Sequence, residues 1–388
     1  MGFRASGLQG FSSVTLLFIL LLISHCAHAV VDDPYIDKNK SVSYAFDKTQ
    51  GALSTAAAGR LWIWQKEKGG NSEPDYYTRR RDSWICNSAS SVETGACPYS
   101  SPTGANKGTS DIKIKFTEKR SRLSVILTLK GQNFGYANPA TGCDPYFFGW
   151  PIQADMYGIC NNGGVQFNGK VLDVWLPAAE ADRIPTGGIW EASLVLYQRR
   201  SFTNTRVATW AANITLNITD KNNGAIYLPA FGSATPRVDL NLRTQPLSTA
   251  PGGQVAGSAT IDTCLYDGYN ANSPWLKLSI SDLLPAGGRG ADIFSLINSA
   301  NGTSRIDYRV SLNYNGRPQA VNNGQEITLT GVDGALIRPV TLPGIPFPVV
   351  CTPTPLTLAV LPFAKASRAA GRYTGTLRLK LSATALAP

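Results

Sequence analysis

Two arginine clusters are the residues of this chain best suited to holding an anion. Arg79-Arg80-Arg81 ends five residues before Cys86, and Arg199-Arg200 follows the alternating stretch from Trp190 to Tyr197. Arginine presents a planar donor fork that matches a carboxylate, including that of a sialic acid. A regular strand sends Arg199 and Arg200 to opposite faces, so a shared ligand requires a bulge or a strand end there. The plainer reading, charged residues at a strand terminus, stands beside it.

Catalytic chemistry has less to work with. Arg4, the apolar run from Val14 to Ile23 and Ala27-His28-Ala29 read as a signal peptide with its cleavage site, residues 1–29. Both histidines, His25 and His28, lie before that cut, as does Cys26. The exported chain, Val30 to Pro388, is therefore expected to carry no histidine. No Ser-His-Asp triad, Cys-His dyad or histidine-ligated metal site can then form. Glu180, Asp182 and Asp262 are carboxylates that a glycosidase could recruit, but no spacing nominates a pair, and solvated surface acids are the simpler account. The expectation is a protein that is not an enzyme and needs no metal or cofactor.

Six cysteines remain after the cut, an even number suited to an oxidising compartment: Cys86, Cys97, Cys143, Cys160, Cys264 and Cys351. No CxxC spacing points to a metal. If pairs stay within a domain, Cys264 joins Cys351, and the other four have three pairings, of which the sequence neighbours Cys86–Cys97 and Cys143–Cys160 are preferred. The formal net charge is +10, or +9 without Arg4. A basic exported surface suits acidic partners such as sialylated or sulfated glycans or anionic lipid. The compartment and the lack of a recognisable motif argue against nucleic acid.

The elements that must position these residues are strands. Apolar residues alternate at Leu123, Val125, Leu127 and Leu129; at Trp190, Ala192, Leu194 and Leu196; and at Ile214, Leu216 and Ile218. Later runs are Val238, Leu240, Leu242; Leu276, Leu278, Ile280; Ile306 to Tyr314; and Leu377, Leu379, Leu381. Pro177 to Ile184 and Ile293 to Ser299 look helical but are short. Asn213, Asn217 and Asn301 begin glycosylation sequons, and the first two read as the polar face of a strand. The chain is expected to be all-β, two sandwiches in tandem. The polar break Asp220-Lys-Asn-Asn-Gly224 divides it into domains at 30–220 and 223–388, with 221–222 as a very short linker.

Several motifs, taken together, resemble one family. In the second part these are Arg237-Val-Asp-Leu-Asn-Leu-Arg243, Cys264-Leu-Tyr-Asp-Gly-Tyr-Asn-Ala-Asn-Ser273, Val340-Thr-Leu-Pro-Gly-Ile-Pro-Phe-Pro-Val-Val-Cys351 and Gly371-Arg-Tyr-Thr-Gly-Thr-Leu377. The first part adds Gly95-Ala-Cys97-Pro98, Phe116-Thr-Glu-Lys-Arg-Ser121, Gly188-Ile-Trp190 and Ile218-Thr-Asp-Lys221. The chain resembles the minor tip subunits of class 5 fimbriae, the Cbl-type initiators and colonisation-factor tip adhesins of the alternate chaperone–usher pathway.

The resemblance implies two immunoglobulin-like domains, an adhesin domain followed by an incomplete pilin domain completed by a donated strand. It implies a periplasmic chaperone, an outer-membrane usher, a major pilin that donates the strand, and a host glycan receptor. It places the protein at the fimbrial tip on the bacterial surface after passage through the periplasm. It also places receptor contacts at Arg81, Arg199 and Arg200. The alternative is an assembly initiator that binds no receptor.

Overall fold

The structure is a computed structural model that describes residues 32–99, 106–137, 149–156, 167–200, 203–233, 235–245, 249, 252–285 and 287–386. The expected leader and the expected Cys143–Cys160 pair lie outside those residues.

Eight principal strands build the first part: β1 Lys38–Asp47, β2 Arg60–Ser72, β3 Ser83–Cys86, β4 Ser110–Glu118, β5 Ser124–Tyr136, β6 Gly169–Pro177, β7 Gly188–Arg199 and β8 Arg206–Thr219. They form one continuous ladder in the order β2, β6, β5, β4, β7, β8, β1, with β3 added to β7. Strand β4 turns the corner, pairing with β5 along its length and with Glu191 and Trp190 of β7 at its end. The alternation read in the sequence is the inward face: Trp190, Leu194, Leu196, Leu216 and Ile218 are fully buried. Trp210 packs edge-on against Trp64 and Trp84, with ring centroids 5.5 and 5.2 Å away. Strand β1 closes the ladder in parallel with β8, from Lys38 opposite Trp210 to Asp47 opposite Thr219.

The second part uses β9 Gln254–Ile261, β10 Trp275–Asp282, β11 Phe294–Asn298, β12 Arg305–Tyr314, β13 Glu326–Thr330, β14 Leu356–Ala364 and β15 Leu377–Ala383. One sheet runs β9, β14, β12, β11; a second, of three strands, runs β13, β10, β15. Two sequence expectations fail here. Ile293 to Ser299 is not helical: Phe294 to Ile297 pair with Tyr308 to Arg305, and the segment is strand β11. The apolar positions Val238, Leu240 and Leu242 belong to no ladder, although Val238 and Leu240 turn toward the core. Alternation records which face is buried, and a strand also needs a neighbour to bond.

Disulfides join Cys86 to Cys97 and Cys264 to Cys351. Strand β8 ends at Thr219, a 3-10 turn occupies Lys221–Asn223, and pairing resumes at Ala225. The turn itself is exposed, and the contacts beside it that tie the two parts together are polar and buried. Asp267 folds its loop by accepting from the amides of Tyr269, Ala271 and Ser273. That loop then bonds the first part: Asn270 Nδ2 donates to Gly187 O at 2.7 Å and Asn272 Nδ2 to Glu118 Oε1 at 2.8 Å. From the other side, Arg120 donates to the carbonyls of Val332 and Ala335. Gly187 sits so close that a Cβ there would lie 2.0 Å from Gly268 O.

Candidate functional site

Pairing brings the three expected arginines to one end of the first part. Strand β3 runs antiparallel to β7 with Ser83 opposite Arg199, so Arg81, two residues before β3, lies beside the end of β7 that carries Arg199 and Arg200. The break in alternation is present. Strand β7 ends at Arg199, and the register slips between Arg206 and Ala208 on β8. The Arg200 amide then bonds Thr205 O at 2.9 Å, starting the turn.

The three side chains are not equivalent. Arg199 is only 8% exposed, and its guanidinium reaches Tyr99 O at 3.5 Å. Burial pulls its pKa down, an effect that Asp155 partly offsets. Arg200 is half-buried and forms an ion pair with Asp75. Arg81 stacks over the ring of Tyr77 at 5.2 Å. Tyr77 and Tyr99 are exposed, and a reading of charge alone misses these aromatics. Their signal in the sequence is Tyr76-Tyr77, just before the arginine triplet. Arg79 and Arg80, which read as added surface charge, turn inward instead, 7% and 9% exposed. Arg79 lies 3.5 Å over the ring of Tyr35, and Arg80 lies over Tyr76 and Tyr77. Their stems bury while the guanidinium gains an aromatic face.

Beneath this end lies a polar network that no motif announced. Asp82, next to Arg81, accepts from Tyr35 OH at 3.3 Å and from Gln198 Nε2 at 3.2 Å. Gln198 precedes Arg199, also donates to Gly69 O, and accepts from Trp210 Nε1. The network ties the Arg81 turn to the Arg199-Arg200 strand end. Lys170, fully buried on β6, donates to Asn133 Oδ1 at 2.5 Å and to Met156 O. Desolvation pushes the Asp82 carboxyl up to about 7 and the Lys170 ammonium down to about 7.

The candidate carboxylates have structural work. Asp182 accepts from the Ala52 amide, Glu180 accepts from the Thr128 amide and binds Arg183, and Asp262 pairs with Arg338.

The second part offers a different feature. Strand β15 pairs with β10 from Leu377 opposite Asp282 to Ala383 opposite Leu276. Among the described residues its other edge has no partner. Leu377, Leu379 and Leu381 face the core but stay partly exposed, while Ile280 and Leu278, opposite Leu379 and Leu381, are fully buried. An unpaired edge above incompletely covered leucines can accept another strand.

Comparison with known proteins agrees with this architecture. The family model for the first domain of CfaE, a CFA/I fimbrial subunit, matches residues 26–221, and that for its second domain matches residues 224–385. The CFA/I fimbrial protein CfaE of Escherichia coli is 33% identical over 307 residues, covering 77% of this chain and 79% of that protein. Among solved structures, CfaE, described as the adhesive subunit of the CFA/I fimbria of enterotoxigenic Escherichia coli, superposes with a TM-score of 0.75. It is 28% identical, with 90% of this chain and 93% of that chain covered. A chain from a chaperone–tip adhesin complex of CFA/I fimbriae biogenesis matches with a TM-score of 0.64, at 27% identity over 90% of this chain and 97% of that one. Two sandwiches in tandem, an arginine-bearing end on the first and an open edge on the second thus occur in a chain that belongs to the CfaE family of CFA/I fimbrial proteins.

Proposed function

We propose that this protein is a minor fimbrial tip subunit that starts fibre assembly and attaches the fibre to a host-cell glycan. The observation that carries this reading is the contrast between its strand edges. The first long strand, β1, is spent inside its own sandwich against β8, whereas β15 at the end of the second sandwich has, among the described residues, no partner on one side. Such a chain accepts a strand while its own first long strand is already committed, which suits the end of a fibre. Residues 30–220 serve as the adhesin domain, 221–222 as the linker and 223–388 as the pilin domain. A periplasmic chaperone and then a major pilin fill the β15 edge, with assembly at an outer-membrane usher. The exported protein ends at the tip, outside the cell.

In the adhesin domain, Arg81 and Arg200 are the receptor contacts, beside the exposed rings of Tyr77 and Tyr99. Arg199 forms their floor. A sialylated or otherwise acidic glycan fits that mixture, since its carboxylate can replace Asp75 on Arg200 while its ring faces an aromatic surface. The work is binding, with no turnover. The engagement of Arg200 by Asp75 also favours a second reading, an initiator without a receptor. Adhesion assays decide between them. Arg81→Ala and Arg200→Ala should each abolish binding to cells or to an acidic-glycan array while the domain melts as before, and binding should weaken with salt. Undiminished adhesion by both variants overturns the receptor site and leaves the initiator.

A further inference from the structure

The outward face of the open edge carries charge as well as an empty ladder. Arg378 and Lys380 alternate with Leu377, Leu379 and Leu381, point to solvent and are exposed. Across the ladder they meet only Ser281 and Ser279 of β10. Neither side chain makes a hydrogen bond, ion pair or ring contact among the described residues. The contrast lies one strand away on the same sheet, where Lys277 of β10 reaches Glu326 of β13 at 2.8 Å. The cation on the central strand thus finds an acid on its neighbour, whereas the two on β15 face only serines.

We propose that the edge selects its incoming strand by charge: the segment that fits β15 alternates apolar residues, seated among the three leucines, with acidic residues opposite Arg378 and Lys380. This rests on the strand-acceptor reading above and adds the chemistry of the partner to it. Directly opposed side chains on one face of a ladder lie close enough for opposite charges to attract and like charges to repel. Either strand direction gives the same match, because Arg378 and Lys380 are two residues apart and always face alternate residues of the donor. The edge cations also discourage pairing with a second copy of β15, which would set like charges together.

The test uses the mature chain and labelled twelve-residue peptides that share one apolar face and carry Glu, Ser or Lys at the outward positions. At low salt the Glu peptide should bind about three- to ten-fold more tightly than the Ser peptide, and the Lys peptide weaker than both. The order should compress at about 1 M salt, where the screening length falls to about 3 Å. It should vanish in the Arg378→Ser/Lys380→Ser double variant. The same three segments fused after the C-terminus should rank the unfolding midpoint identically, which covers peptides too weak to bind in trans. Equal affinity and equal midpoints for Glu, Ser and Lys overturn the charge rule and leave the acceptor. If no segment of any charge binds or stabilises, the acceptor reading itself falls.

Discussion

The two halves of this molecule are written in the same alternating code and finish their sandwiches differently. The first lays β1 in parallel against β8 over ten residue pairs, so the C-terminal strand of that part is bonded on both sides by the chain itself. The second ends at β15 with one edge open, and its Val238 to Leu242 segment has inward apolar residues but no ladder. Buried tryptophans fill the first core, whereas Leu377, Leu379, Leu381 and Phe363 in the second are only half covered. A single missing strand turns a finished domain into one that needs a partner. That difference separates a part that can face outward from a part that must be built into something.

Core truncation should show the largest difference between the halves. Trp210→Ala removes a ring seated between Trp64 and Trp84 and should cost the first domain about 3–5 kcal/mol. Leu379→Ala should cost the empty chain well under half of that, because water already reaches the side chain. Its cost should grow once a strand is donated. Denaturant titration of both variants, with and without a fused strand, measures this, and equal costs in the empty chain would erase the contrast.

The disulfides should differ next. In the chain-entropy account, breaking Cys264–Cys351, 87 residues apart, costs about 4–5 kcal/mol, while breaking Cys86–Cys97, 11 apart, costs about 3 kcal/mol. The longer staple belongs to the incomplete domain. Paired serine substitutions followed by thermal melts report each.

The joint should yield a smaller effect. Gly187→Ala places a Cβ against Gly268 O and should cost about 1–3 kcal/mol as an overpacked contact. The strain falls between the domains, so faster proteolysis near 220–224 is expected, with little change in either domain's own melting.

The smallest signal is the pH dependence that Asp82 and Lys170 give the first half. The pKa of Asp82 is raised in the folded state, so the folded chain holds that proton more tightly than the unfolded one. Stability therefore falls as pH rises from the ordinary carboxylate range through about 7. The pKa of Lys170 is lowered in the folded state, so stability rises as pH climbs from about 7 toward the ordinary lysine range. Asp82→Asn should flatten the acid limb and Lys170→Met the alkaline limb in pH-dependent melts. If both limbs survive in the variants, the buried pair is not their source.

Much of this was legible in the residues because alternation reports burial directly, as at Trp190 to Leu196 and Leu276 to Ile280. The Val238 segment shows the limit: its pattern is that of a strand, yet a ladder requires a second chain segment. Segment 293–299 shows another, since seven residues are too few for a helical and a strand period to be told apart. At the arginine end, the resemblance to fimbrial tip subunits put Arg81, Arg199 and Arg200 together, but no residue pattern could show that Arg199 is buried while Arg81 and Arg200 are only partly so. Nor could it show that Arg79 and Arg80 turn inward, because an aromatic partner such as Tyr35 lies 44 positions away from Arg79 in sequence. The Asp82–Gln198 bond was invisible for the same reason, being a contact across 116 residues.

Amide hydrogen exchange on the mature chain, before and after a strand is donated, is the decisive check on the contrast between the two sandwiches. Exchange at those amides of Leu377–Ala383 that point away from β10 should slow by orders of magnitude when the strand is added, while Arg206–Thr219, already covered by β1, should stay as protected as before. If those outward amides are protected without any donor, or if the added strand changes exchange in Arg206–Thr219 instead, the second sandwich is not the incomplete one and the strand-acceptor reading fails.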